Sequence, residues 1–117
     1  MFNELFSGSP KFTYNADTNK YISIRDFLRD HDKNLTYQVK GLFTTKGKYG
    51  KRGVIVIDGF NINTPAYLVE RIDQIRSNPE MVKAINDGLC GLKFRDYEKD
   101  DKIFTTVDLV DYAPITM

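Results

Sequence analysis

The segment Lys46-Gly47-Lys48-Tyr49-Gly50-Lys51-Arg52-Gly53 gathers four cations around one aromatic ring. Cations neutralise phosphates, and an aromatic face receives an unstacked base at roughly 1–3 kcal/mol whatever the base is. These are the two things that binding a single nucleic-acid strand requires. Glycines spaced by three residues predict a pliant loop between two strands. Lys40 extends the run, since Lys40 to Ile57 holds five basic residues and no acid. Removing these five from the 17 basic residues leaves 12 against 16 acidic ones, a balance of −4 in a chain whose net charge is +1. Clustered charge of one sign raises the local concentration of a polyanionic partner and its rate of association. Lys93, Arg95 and Tyr97 place the same mixture on one face of a later strand. The candidate nucleic-acid-binding residues are therefore Lys40, Lys46, Lys48, Tyr49, Lys51, Arg52, Lys93, Arg95 and Tyr97.

Catalytic chemistry finds no comparable cluster. His31 is the single histidine and lies in the charged stretch Arg29-Asp30-His31-Asp32-Lys33, which reads as solvated. Cys90 is the single cysteine, so an internal disulfide and a zinc cluster are both excluded; it reads as a small buried hydrophobe. Asp30/Asp32 and Asp100-Asp101 lack the spaced oxygen ligands and closing glutamate of a calcium loop. Gly47, Gly50 and Gly53 match neither a phosphate-binding loop nor a dinucleotide fingerprint, because both patterns open a helix. The sequence thus predicts a binding protein that is not an enzyme and needs no metal or cofactor.

The elements that must position these residues follow from pattern and punctuation. Lys11–Tyr14 is a short strand candidate, followed by the turn signal Asn15 to Asn19. Tyr21–Ile24 reads either as a strand or, with Ser23 as cap, as the start of a short helix bearing Ile24, Phe27 and Leu28 on one face. Leu35–Thr44 alternates as a half-buried strand, with Gly41 marking a bulge or bend. By that parity Phe43 joins Val39 in the core. Val54–Ile57 is a central strand, and the pair forms a hairpin with a long basic tip. Phe43 and Phe60 flank it, and either ring has the chemistry to stack on a base. Asp58-Gly59 is turn chemistry. Thr64-Pro65 and Asn78-Pro79 open two helices, with Leu68, Val69, Ile72 and Ile75 on the first face and Met81, Val82 and Ile85 on the second. Gly88 ends the second helix. Leu89–Tyr97 and Ile103–Val110 complete the strands around the charged turn Glu98 to Asp101.

One domain accounts for the 117 residues. We expect an arm over residues 1–10, a domain over 11–112 and a short tail over 113–117. No apolar run approaches the ~18 residues of a membrane span. The N-terminus lacks the basic and apolar regions of a signal peptide. Cytoplasm is the expected compartment.

The predicted order is three strands, a helical segment and two strands. That order describes a mixed, mainly β, OB-fold-like five-stranded barrel with a helical segment between the third and fourth strands. In such a barrel the second and third strands and neighbouring loops form the ligand surface.

Several stretches carry a resemblance: Ile24-Arg25-Asp26-Phe27, Tyr37-Gln38-Val39-Lys40-Gly41-Leu42-Phe43, Lys48-Tyr49-Gly50 and Ala84-Ile85-Asn86-Asp87-Gly88. They resemble small early proteins of lactococcal and streptococcal phages, which include OB-fold single-stranded DNA-binding proteins. The resemblance runs from Lys11 to Asp111. It implies sequence-tolerant coating of single-stranded DNA in phage replication or recombination, in the host cytoplasm. It also implies self-association as a dimer or higher oligomer, with phage or host recombination proteins as further partners and no membrane. The chain departs from bacterial single-strand binders at its end, Asp111-Tyr112-Ala113-Pro114-Ile115-Thr116-Met117, which holds one acid. Recruitment of partners through an acidic tail is not expected. The alternative reading is a phage protein-interaction module, or an inhibitor of a host factor, that does not bind DNA. A DNA surface needs Tyr49 and Tyr97 exposed beside cations, whereas a protein interface gathers apolar residues in a dry patch.

Overall fold

Ser23 ends the first strand and caps the first helix. In the computed structural model, which describes residues 12–48 and 50–112, both readings of Tyr21–Ile24 hold together. Strand β1 spans Lys20–Ser23 and helix α1 spans Ile24–Asp30. The Ser23 hydroxyl accepts a hydrogen bond from the Asp26 backbone N–H at 3.1 Å, satisfying one of the orphan donors of the first turn. The N-terminal arm, the C-terminal tail and Tyr49 lie outside the described residues. Phe12 to Tyr14 are not a strand, so that expectation is corrected.

The alternating run Leu35–Thr44 is two strands. Strand β2, Tyr37–Gln38, belongs to one sheet, and strand β3, Gly41–Gly47, belongs to another. The crossing lies at Val39 and Lys40. The Val39 N–H donates to the Cys90 carbonyl at 2.8 Å, and the Lys40 N–H to the Val56 carbonyl at 2.7 Å. This switch changes the parity: Leu42 enters the core at 1% exposed, while Phe43 is half-buried on the opposite face, edge-on to Tyr21. Phe43 is therefore not the core residue its alternation with Val39 suggested.

Strand β4, Gly50–Ile57, pairs antiparallel with β3 through seven residue pairs, from Gly41↔Val56 to Gly47↔Gly50. Strand β5, Phe60–Asn63, follows the Asp58-Gly59 turn, where Gly59 takes a φ of 84°. It pairs antiparallel with β4 and parallel with β1. One sheet is thus four-stranded, in the order β1-β5-β4-β3. The other is three-stranded, β2-β6-β7, with β6 at Cys90–Lys99 and β7 at Lys102–Asp111. These two separate sheets replace the closed five-stranded OB-fold barrel. The run expected to be one strand divides between the two sheets at Val39–Lys40, and the short strand Phe60–Asn63 pairs only within the four-stranded sheet.

Between β5 and β6 lie a 3₁₀ turn at Ala66–Leu68, helix α2 at Val69–Arg76 and helix α3 at Pro79–Asn86. The Asn78 side chain caps α3 by accepting from the Glu80 and Met81 N–H groups, and Gly88 leaves the helix with a φ of 79°. Thr64-Pro65 opens the 3₁₀ turn without a side-chain cap; the Thr64 hydroxyl donates instead to the Gly53 carbonyl at 2.8 Å.

The core is shared by both sheets and the helices. Ile55, Ile57, Ile62 and Leu42 meet Leu92, Phe94 and Val107, with Leu68, Ile72 and Ile85 from the helical segment. Phe27, fully buried, centres an aromatic cluster with Tyr37, Phe60 and Phe94 at ring distances of 5.2, 5.5 and 5.7 Å. Such ring pairs add about 0.5–1.5 kcal/mol beyond the area they bury. His31 joins this cluster instead of standing in solvent. Its ring stacks on Phe27 at 4.0 Å, and its Nδ1 lies 2.9 Å from the Phe27 carbonyl at the end of α1.

Candidate nucleic-acid interface

The basic segment is a two-stranded ribbon rather than a swinging loop. The ladder runs to Gly47 on β3 and resumes at Gly50 on β4, whose φ of 108° suits glycine. Most of its cations therefore sit on strands. Lys46 lies directly across from Lys51, on the face that carries Leu42 and Ile55 further along. Arg52 lies across from Thr45 on the other face. Lys46, Lys51 and Arg52 are exposed, and none makes an ion pair among the described residues. Like charges directly opposed on a ladder destabilise it. Lys51 also lines a shallow depression beside Glu70 and Asp73 of α2, without an ion pair to either.

Gly53 sets where the ribbon meets the body. A Cβ there would overlap the Ile72 Cδ1 and touch the Thr64 hydroxyl. Glycine thus lets α2 close directly on β4 and leaves only the outer part of the ribbon free. Lys40 lies at the other end of β3, at the sheet crossing. Six residues at ~3.3 Å each place it about 20 Å from Lys46, outside the ribbon tip.

Lys93, Arg95 and Tyr97 stand on one face of β6, as their parity predicted. The structure adds their partners. Arg95 grips Asp108 through Nε at 2.8 Å and Nη2 at 3.3 Å. That hydrogen bond holds the Asp108 carboxyl below its ordinary range and pushes the Arg95 guanidinium up. Arg95 is thus half-neutralised, and Lys93 faces Asp108 across the ladder. Tyr97 stacks on Phe104 at a ring distance of 5.6 Å. Phe60 faces the Phe27 cluster instead of flanking the hairpin as a free ring.

Tyr67 was not visible as a site residue in the sequence. It is 59% exposed on the 3₁₀ turn, and its hydroxyl bonds that of Thr106, the cross-strand partner of Arg95. It also lines the depression that holds Lys51. Tyr67 therefore joins the ribbon to the Arg95–Tyr97 face. The available signal was its place just after Thr64-Pro65, at an exposed helix start. Phe104 was missed too; its position across from Tyr97 depends on a hairpin register that spacing alone does not fix.

Cys90 shares the face of Leu92 and Phe94, and burial pushes its thiol up to about 11. It is a neutral thiol at physiological pH and takes no part in this surface. Among the described residues no group of three metal-ligating side chains converges, and no helix is long and apolar enough to cross a membrane.

No family model matches the chain, and neither the curated proteins nor the solved structures contain a match. The OB-fold groove for single-stranded DNA is absent with the barrel. The ligand surface that such a barrel predicts falls with it, and what remains are the ribbon and the aromatic face.

Proposed function

We propose that the chain binds nucleic acid without sequence preference, single strands before duplex, using the β3–β4 ribbon for phosphates and the exposed Tyr67 ring, beside the Arg95–Tyr97 face, for bases. The observation that carries this reading is the uncompensated charge of the ribbon. Lys46 is set against Lys51, and Arg52 stands free on the opposite face. Among the described residues, Arg29, Lys33, Arg76, Lys83 and Arg95 are paired with carboxylates. A polyanion lying along the ribbon relieves the like-charge repulsion that folding leaves there. Exposed aromatic rings beside cations supply stacking that a duplex, with its base faces hidden, cannot use.

A two-fold dimer, the commonest assembly, would lengthen the strand covered. The phage resemblance adds a place for the activity in DNA replication or recombination. The reading is tested by titrating a fluorescent oligo-dT and a duplex of equal length against the protein. Tighter binding of oligo-dT is expected, weakened by about 1–3 kcal/mol in Tyr67→Ala with little change in salt dependence. Equal affinity for both ligands, or no effect of Tyr67→Ala, would refute it.

A further inference from the structure

A second surface, between helix α1 and strand β7, has a different chemistry. A groove of about 1040 Å³ runs between α1 and the start of β7. Ile24, Leu28, Ile103 and Phe104 give it an apolar floor, and Ile103 is 75% exposed. Arg25, Arg29 and Lys33 stand along its wall, and among the described residues no carboxylate lines it. Arg25 makes no ion pair among the described residues. Arg29 pairs with Asp26 at 3.0 Å and Lys33 with Asp96 at 2.6 Å, each pair more than a third exposed. Exposed pairs of this kind contribute little, so an arriving carboxylate competes for both cations.

We propose that this groove docks an acidic peptide segment of a partner protein, one that carries bulky apolar side chains among aspartates and glutamates. Charge complementarity selects the acidic residues, and the aliphatic floor takes the apolar anchors. A nucleic-acid strand fits it less well. Its floor is mainly aliphatic, and the one aromatic ring that lines it among the described residues, Phe104, is already covered on one side by Tyr97. Consecutive Ile103 and Phe104 at a strand start gain nothing from water, whereas a docked side chain would remove them from it. The site is separate from the ribbon, touches the aromatic face only at Phe104, and does not depend on nucleic-acid binding.

The test uses fluorescence polarisation with the full chain and a labelled synthetic peptide of aspartate and glutamate containing two phenylalanines. Saturable binding is expected. It should weaken at least about tenfold for Arg25→Glu and for Ile103→Ser, and as much when the peptide phenylalanines become serine. Both positions are exposed, so thermal melting should stay unchanged, and Arg25→Glu should bind oligo-dT as the parent does. No saturable binding, or binding of parental affinity by both variants, would overturn the proposal. So would displacement of the peptide by oligo-dT together with loss of oligo-dT affinity in Arg25→Glu. That last result would assign the groove to the nucleic-acid surface.

Discussion

Asp108 sets how much of the charge on the β6 face is free to bind. Two hydrogen bonds from Arg95 hold its carboxyl below the ordinary range, with Arg71 and Lys93 adding attraction. Asp96 is held down likewise by Lys33 and Thr105. A carboxyl whose folded pKa lies below its unfolded one stabilises the fold above the unfolded value. That contribution is lost as pH falls through the folded value. Both contributions are therefore present in full near neutrality, where they do not change with pH, and are lost as pH falls below about 3.9. Carboxyl carbon shifts followed by NMR should give Asp108 a midpoint below 3.9, moving up in Arg95→Ala; a midpoint at about 3.9 or above would contradict the pairing. At this scale the residue types were legible and their partners were not. Lys93, Arg95 and Tyr97 were assigned to one face by alternation, and they share it. That Arg95 is held by Asp108, thirteen positions on, depends on the β6–β7 register. His31 looked solvated because its sequence neighbours are charged. Its ring folds back onto Phe27, four positions earlier on the helix, which a reading by local composition overlooks.

Among the elements, the turns hold the clearest stored costs. Strands β6 and β7 join through Asp100 and Asp101 alone, with φ of 54° and 62°. A two-residue hairpin needs this left-handed pair and favours glycine at its second position. An L-residue gives up roughly 1–2 kcal/mol there, less for aspartate, which bonds locally. Asp101→Gly should therefore raise stability by about 0.5–1 kcal/mol, seen as a higher melting temperature. A lower melting temperature would mean that the aspartates hold the turn in a way its dihedrals do not show. The opposite holds at Gly53, where α2 closes on the ribbon. Gly53→Ala should destabilise by about 1–3 kcal/mol in denaturant titration, because the buried Ile72 has little room to shift. An unchanged midpoint would contradict the close packing. Helix punctuation was legible at Ser23, Asn78-Pro79 and Gly88, since caps act within a few residues. Strand β5 was not legible: Phe-Asn-Ile-Asn is four residues long, and its pairing partners lie elsewhere in the chain. The basic loop was read as flexible because glycine was weighed without its ladder partners, and the ladder runs to Gly47↔Gly50.

For the whole molecule, the order of strands was the least legible property. Sequence supplied most of the strands and all of the helical segment. It could not supply the parallel pairing of β1 with β5, or the passage of one alternating run through two sheets at Val39–Lys40. These long-range choices turn an expected barrel into two sheets around a common core. They also decide that the cations fall on two surfaces, bridged by Tyr67, rather than in one groove. The central claim, that the ribbon is a phosphate-binding element, is tested most directly by its salt dependence. Each phosphate contact on a single strand contributes a log–log slope of about −0.7. Replacing Lys46, Lys51 and Arg52 by alanine should weaken oligo-dT binding and flatten the slope by about 2, with thermal melting unchanged or raised. Oligo-dT binding of parental affinity at low salt, with the parental slope, would contradict it.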